Sequence, residues 1–217
     1  MYSNKAPALS ATSFLLLAII AMAAAAFYRL PLLDERPMHT DEAILAFKTA
    51  DFQTTGHFHY DPKDYHGPGL HYAALLWSKV AFWGAPDTWH GAQLRTVTAV
   101  CGLLLILATI LLTDALGRGG VVAAMLLAAV SPMQVYYSRY YIMETPLVLL
   151  VMIALVSFWR YSQGGGRLWL LLGGIATGLQ HATKETFILN VAAGFVAWLV
   201  AKQLFGPHQI AGAHRGL

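Results

Sequence analysis

Long apolar runs alternate with short polar breaks along most of the chain. A helix needs about 20 largely apolar residues to cross a bilayer, with about 17 as a lower bound. On that measure spans are predicted at 11–30, 95–114, 119–137, 141–159, 168–183 and 186–203. The breaks are Leu116–Gly120 around Arg118, Arg160–Arg167 with its glycines, and His181–Thr186. Glycine and polar residues punctuate helices in this way. The first run ends in Phe27–Tyr28–Arg29, an interfacial anchor, so an uncleaved first span is expected rather than a signal peptide. The stretch 70–84 is apolar and aromatic but short and carries Lys79, which suits a helix lying in the interface.

Charge then orients the pattern. If 70–84 does not cross, the loops 32–94, 138–141 and 182–186 share one side. Ten of the eleven acids lie on or beside it: Asp34, Glu35, Asp41, Glu42, Asp51, Asp61, Asp64, Asp87, Glu144 and Glu185. The opposite loops hold Arg118, Arg160, Arg167 and Lys202. The positive-inside rule puts those in the cytoplasm and the acids outside. The expected fold is all-α and integral to the membrane: about six spans in a single domain, 1–217, with a large first extracytoplasmic loop, 32–94, containing juxtamembrane helices.

Composition agrees and removes some functions. Residues are 57% hydrophobic and 12% charged, against about 25% charged in soluble domains. One cysteine, Cys101, excludes a disulfide framework and a CxxC zinc site. The net charge is +3 with no basic block, so no nucleic-acid partner is expected.

Four polar clusters fall on the outer side. "MHTDEAILAF" (38–47) carries Asp41 and Glu42, with Thr40 as the expected N-cap of a helix. The pair reads either as a helix start or as acid–base chemistry. "HFHYDPKDYHGPGLHY" (57–72) holds four histidines and a Gly67–Pro68–Gly69 turn, which would set Tyr65 and His66 over a substrate. None has HExxH spacing; no metal ligand is assigned, and a divalent ion stays open as a cofactor. "YYSRYYIMETP" (136–146) places Arg139 among tyrosines with Glu144 five residues on. Arginine at a water–lipid boundary suits a phosphate, a snorkelling role, or a pair with Glu144. "QHATKETF" (180–187) supplies Lys184 and Glu185 in a tight turn.

Taken together these motifs resemble the C-type membrane glycosyltransferases. "RPMHTDEA", "YHGPGLHY", "SRYYIMETP" and "HATKETF" are similar to the dolichyl-phosphate-mannose protein mannosyltransferases and the aminoarabinose transferases, closest to a flippase-activity-associated prokaryotic branch. The resemblance runs from about residue 25 to 200. It implies a multi-pass inner-membrane enzyme with an extracytoplasmic active face, a polyprenyl-phosphate sugar donor, and a protein, glycan or lipid acceptor. It places Asp41 on the catalytic aspartate with Glu42 beside it. Arg139 and Lys184 fall where basic residues meet the lipid phosphate. His66, Tyr65, Glu144 and Glu185, read from the motifs themselves, are the further expected substrate or lipid-phosphate contacts. The aminoarabinose transferases carry Lys-Pro-Pro-Leu where this chain has His66–Gly67–Pro68–Gly69–Leu70, so His66 must substitute for that lysine or the phosphate grip lies elsewhere. The superfamily usually has more spans, so an N-terminal portion of a longer protein is expected. The competing expectation is a non-catalytic subunit that binds polyprenyl lipid, or a flippase-associated protein.

Overall fold

The computed structural model describes residues 9–63 and 66–212, with side chains through Leu204. It is all-helical: α1 Ala11–Arg29, α2 Thr40–Thr55, α3 Gly69–Val80, α4 Gly91–Ala108, α5 Thr113–Val130, α6 Pro132–Ser138, α7 Glu144–Ser162, α8 Arg167–His181 and α9 Phe187–Gly212. No strand forms among the described residues; a lone antiparallel bridge joins His66 to Lys184.

Among the described residues four helical stretches are long and apolar enough to cross a membrane: Ala11–Arg29, Gly91–Val130, Glu144–Ser162 and Phe187–Leu204. The second has 40 residues, about 60 Å if straight, twice a bilayer core. It folds back at Gly117, whose φ of 68° leaves the helical region; only glycine takes that conformation freely. α8 has 15 residues, about 22 Å, and falls short on length. Six helical passes are therefore reached by counting the folded stretch twice and α8 once.

Contacts between helix ends fix chain direction. At one end Arg118 Nη1 donates to the Leu9 carbonyl at 3.0 Å, and Arg160 meets Asp114 at 3.0 Å. At the other end Arg29 donates to the Ala128 and Ala129 carbonyls, both at 2.8 Å. The α6–α7 and α8–α9 connections gather there too, through Lys184 and Glu144. α1 and α5 lie side by side because Ala18, Ala21 and Ala25 present a small-residue ridge to Val121, Met125 and Ala129. Small side chains let helix backbones approach where lipid offers no hydrophobic drive.

Two expected boundaries move. The span 119–137 is broken at Ser131, because Pro132 disfavours helical geometry in the residue before it. The span 141–159 starts later, at Glu144, and leaves Tyr140–Met143 as a buried connection. That connection packs with Leu45, Leu70, Ala74, Leu94 and Val97 into a core beneath the site. α3 lies across the same end. Its Gly69 N–H donates to the Ala182 carbonyl at 2.8 Å, and Trp77 Nε1 to Thr96 Oγ1 at 3.0 Å near the start of α4. With 12 residues it is too short to cross.

Candidate active site

The first turn of α2 places Asp41 and Glu42 side by side in sequence and in opposite surroundings. His39, not Thr40, is the N-cap. Its backbone is extended and its Nδ1 accepts the Asp41 N–H at 3.3 Å, as an asparagine oxygen would. Glu42 Oε2 accepts the His39 N–H at 3.1 Å in return.

Glu42 is fully buried. Its Oε1 accepts Arg95 Nε at 2.7 Å and the Tyr141 N–H at 2.9 Å. Its Oε2 also accepts Arg95 Nη2 at 2.7 Å and Arg36 Nη2 at 3.2 Å. Arg95 completes its fork on the carbonyls of Leu33 (2.7 Å), Arg36 (2.8 Å) and Pro37 (3.1 Å). Every N–H of that guanidinium is thereby used. Burial alone pushes the Glu42 carboxyl up. The Arg95 hydrogen bonds, the two backbone N–H groups and the Arg95 charge outweigh it and hold the carboxyl below its ordinary value. This hub ties α2, α4, the segment after α1 and the Tyr140–Met143 connection to one another. A second buried knot lies beneath it. Thr49 donates its hydroxyl to the Leu45 carbonyl at 2.7 Å and lies within hydrogen-bond distance of Tyr141 Oη (2.9 Å) and His71 Nδ1 (2.7 Å).

Asp41, one residue earlier, turns the other way. Its side chain is 65% exposed, with His39 Nδ1 at 3.5 Å. It opens on a pocket of about 260 Å³ lined also by Ile44, Leu45, His66, Ile142, Met143, Glu144 and Lys184. Lys184 Nζ donates to Glu144 Oε1 at 2.6 Å, and His66 Nδ1 lies 3.3 Å from Glu185 Oε2. Two tight approaches hold His66 here: the bridge to Lys184, and Gly67, where any Cβ would strike the Ala182 carbonyl. Tyr140 closes the neighbouring edge. Its ring is 5.7 Å from His39, and the Arg36 guanidinium carbon lies 4.8 Å from its centroid. Burial first, then the charges of Asp41 and Glu42, push the Tyr140 phenol up and keep it protonated.

The residues expected at a site thus separate. Asp41, His66, Glu144 and Lys184 converge on the pocket, and Glu185 stands behind His66. Glu42 is held within the scaffold. Arg139 donates to the carbonyls of Tyr28 (3.1 Å), Pro31 (2.8 Å) and Leu32 (3.1 Å), where it caps the end of α1 rather than lining the pocket. Tyr65 lies outside the described residues. Among the described residues no three His, Cys, Asp or Glu side chains converge as a metal site. Arg95, Arg36 and Tyr141 were not singled out from sequence. The available signal was Arg95 itself, a lone charge at the head of an apolar run, which needs a partner inside the fold.

Comparison with known proteins adds one finding. A family model described as dolichyl-phosphate-mannose-protein mannosyltransferase matches residues 66–211. That range holds His66, Arg95, Glu144 and Lys184 and starts after the acidic pair. No curated protein and no solved structure matches the chain.

Proposed function

The chain belongs to the dolichyl-phosphate-mannose-protein mannosyltransferase family of C-type membrane glycosyltransferases, and from that premise we propose that it moves a sugar from a polyprenyl-phosphate donor to an acceptor hydroxyl, with Asp41 as general base. The observation that carries this reading is one pocket wall holding an open carboxylate, Asp41, and an ammonium, Lys184. Attack on the sugar's C1 needs a proton acceptor on the acceptor side and positive charge on the leaving side.

In the proposed step the acceptor oxygen bonds to C1 as the C1–phosphate oxygen bond breaks. The hydroxyl proton passes to Asp41, the bonding pair leaves with the phosphate, and the configuration at C1 inverts. Lys184 compensates the phosphate charge. His66, where a lysine stands in the aminoarabinose transferases, offers a second nitrogen beside it. Glu42 does no chemistry in this scheme; it fixes the turn that carries Asp41.

A lipid-borne donor is supported by a second cavity. A groove of about 1090 Å³ lies between α7, α8 and α9. Its wall is apolar from Leu112 and Leu116 up to Gln180 and Asn190, which lie close in sequence to Lys184. An isoprenoid tail in that groove would run toward the end of α8 from which the chain continues to Lys184. The extracytoplasmic orientation is supported by Arg118, Arg160 and Arg167 at the end away from the pocket. The acceptor is a hydroxyl of a protein, glycan or lipid.

The test uses membranes carrying the full chain and a polyprenyl phosphate bearing a radiolabelled sugar. Transfer to endogenous acceptor with an inverted linkage, released together with polyprenyl phosphate, is expected. Retained configuration, or label transfer unaffected by Lys184→Gln, would overturn the proposal.

A further inference from the structure

Among the described residues lining the pocket, Lys184 is the one lysine or arginine, and its ammonium is already engaged by Glu144 at 2.6 Å. The wall sets two carboxylates, Asp41 and Glu144, against that single ammonium. Those carboxylates outnumber the ammonium two to one. An anion entering such a pocket meets like charge and a cation whose partner is in place. The two partners are unequally shielded: the Lys184 side chain is 18% exposed and that of Glu144 38%. Lys184 is held by its backbone bridge to His66. Glu144 opens α7 with no side-chain cap beside it and has water to turn into.

We propose that Glu144 is a displaceable internal counter-ion: it holds the Lys184 ammonium in the empty pocket and gives it up to the phosphate of an incoming lipid phosphate. This rests on the reading of Lys184 as the phosphate contact. The ammonium is a compact point charge with three donors on a flexible stem, so a phosphate oxygen can take the position that Glu144 Oε1 holds. Glu144 then acts as a filter. A neutral polyprenol cannot displace it, whereas a phosphate gains what the carboxylate loses. The competition also sets affinity below what Lys184 alone would give, which favours release of the phosphate product.

The experiment is binding of polyprenyl monophosphate, with polyprenol as control, to the full chain in nanodiscs. Wild type, Glu144→Gln, Glu144→Asp, Lys184→Gln and the double variant Glu144→Gln/Lys184→Gln are compared. A pair this exposed changes an equilibrium by roughly twofold to fivefold, so Glu144→Gln tightens phosphate binding by that factor. Glu144→Asp, which keeps the charge but shortens its reach, tightens it less. Lys184→Gln weakens it by roughly tenfold or more, as loss of a charged hydrogen bond does, and the double variant recovers only part of that loss, because Glu144→Gln then relieves like-charge repulsion but frees no ammonium. Weaker or unchanged binding in both Glu144 variants, with Lys184→Gln still impaired, overturns the counter-ion role and makes Glu144 a positioning residue for Lys184. Unchanged binding in Lys184→Gln would instead overturn the underlying reading of the pocket.

Discussion

The hub around Glu42 and the pocket around Asp41 start from neighbouring residues and use the same chemical groups. In the hub, each Glu42 carboxylate oxygen and each Arg95 guanidinium N–H has a partner, and those two side chains are out of water, with Arg36 exposed at the rim. In the pocket, a carboxylate stands open to solvent beside an ammonium that one further carboxylate holds. A saturated buried network makes geometry rigid and is costly to break. An open one leaves lone pairs for a substrate. The difference shows how the fold can leave a carboxylate open to solvent: it locks the next residue and turns this one outward.

Arg95→Met should do the most damage. It removes the partner of a buried carboxylate, which costs about 3–5 kcal/mol, and it strips hydrogen bonds from the Leu33, Arg36 and Pro37 carbonyls. At roughly 2–4 °C per kcal/mol for a chain of this size, the midpoint of thermal unfolding in detergent should fall by roughly 6–20 °C. A midpoint equal to wild type would mean that the hub does not hold the outer face together.

Acid should act on the hub next. The Glu42 carboxyl is depressed from its ordinary value of 4.5. A depressed carboxyl contributes stability that is complete above the unfolded value and is lost as pH falls through the lower folded value. Thermal midpoints recorded from pH 7 down to about pH 3 should therefore drop below 4.5 in wild type, with a smaller drop in Glu42→Gln. Parallel curves would place the acid-sensitive group elsewhere.

Arg139→Gln sharpens the line between hub and pocket. Loss of charged hydrogen bonds to three carbonyls should lower stability by about 1.5–3 kcal/mol, while affinity for polyprenyl phosphate stays at wild type. A weaker donor with an unchanged melting midpoint would return Arg139 to the phosphate. The smallest effect is expected from Tyr141→Phe, which removes one neutral hydrogen bond to Thr49. About 0.5–1.5 kcal/mol should be lost, again without change in donor affinity.

Hydropathy alone made the helical passes legible, and the positions of acids and arginines made their two ends legible. Motif spacing brought Asp41, His66, Glu144 and Lys184 forward as candidates. The division of labour among them was not readable, because it depends on pairs far apart in the chain. Glu42 and Arg95 are 53 residues apart, and Arg139 reaches carbonyls 107 to 111 positions away. Nothing in "SRYYIMETP" indicates that its arginine faces the end of α1. The helix break at Ser131–Pro132 was visible in the sequence, yet continuous apolarity carried the expected span across it. His39 displaced Thr40 as cap because an imidazole Nδ1 at an extended residue accepts an N–H as a hydroxyl would.

Transfer activity and thermal midpoint, measured together in Asp41→Asn and Glu42→Gln, test the division most directly. Asparagine keeps the shape of Asp41 and removes the proton acceptor, and loss of a general base costs about 10²–10⁴-fold in rate. The expected result is Asp41→Asn with a wild-type midpoint and transfer reduced at least about a hundredfold, beside Glu42→Gln with a lowered midpoint. Near-normal transfer by well-folded Asp41→Asn, or a full loss in Glu42→Gln at an unchanged midpoint, would contradict it and move the base to the neighbouring residue or away from this turn.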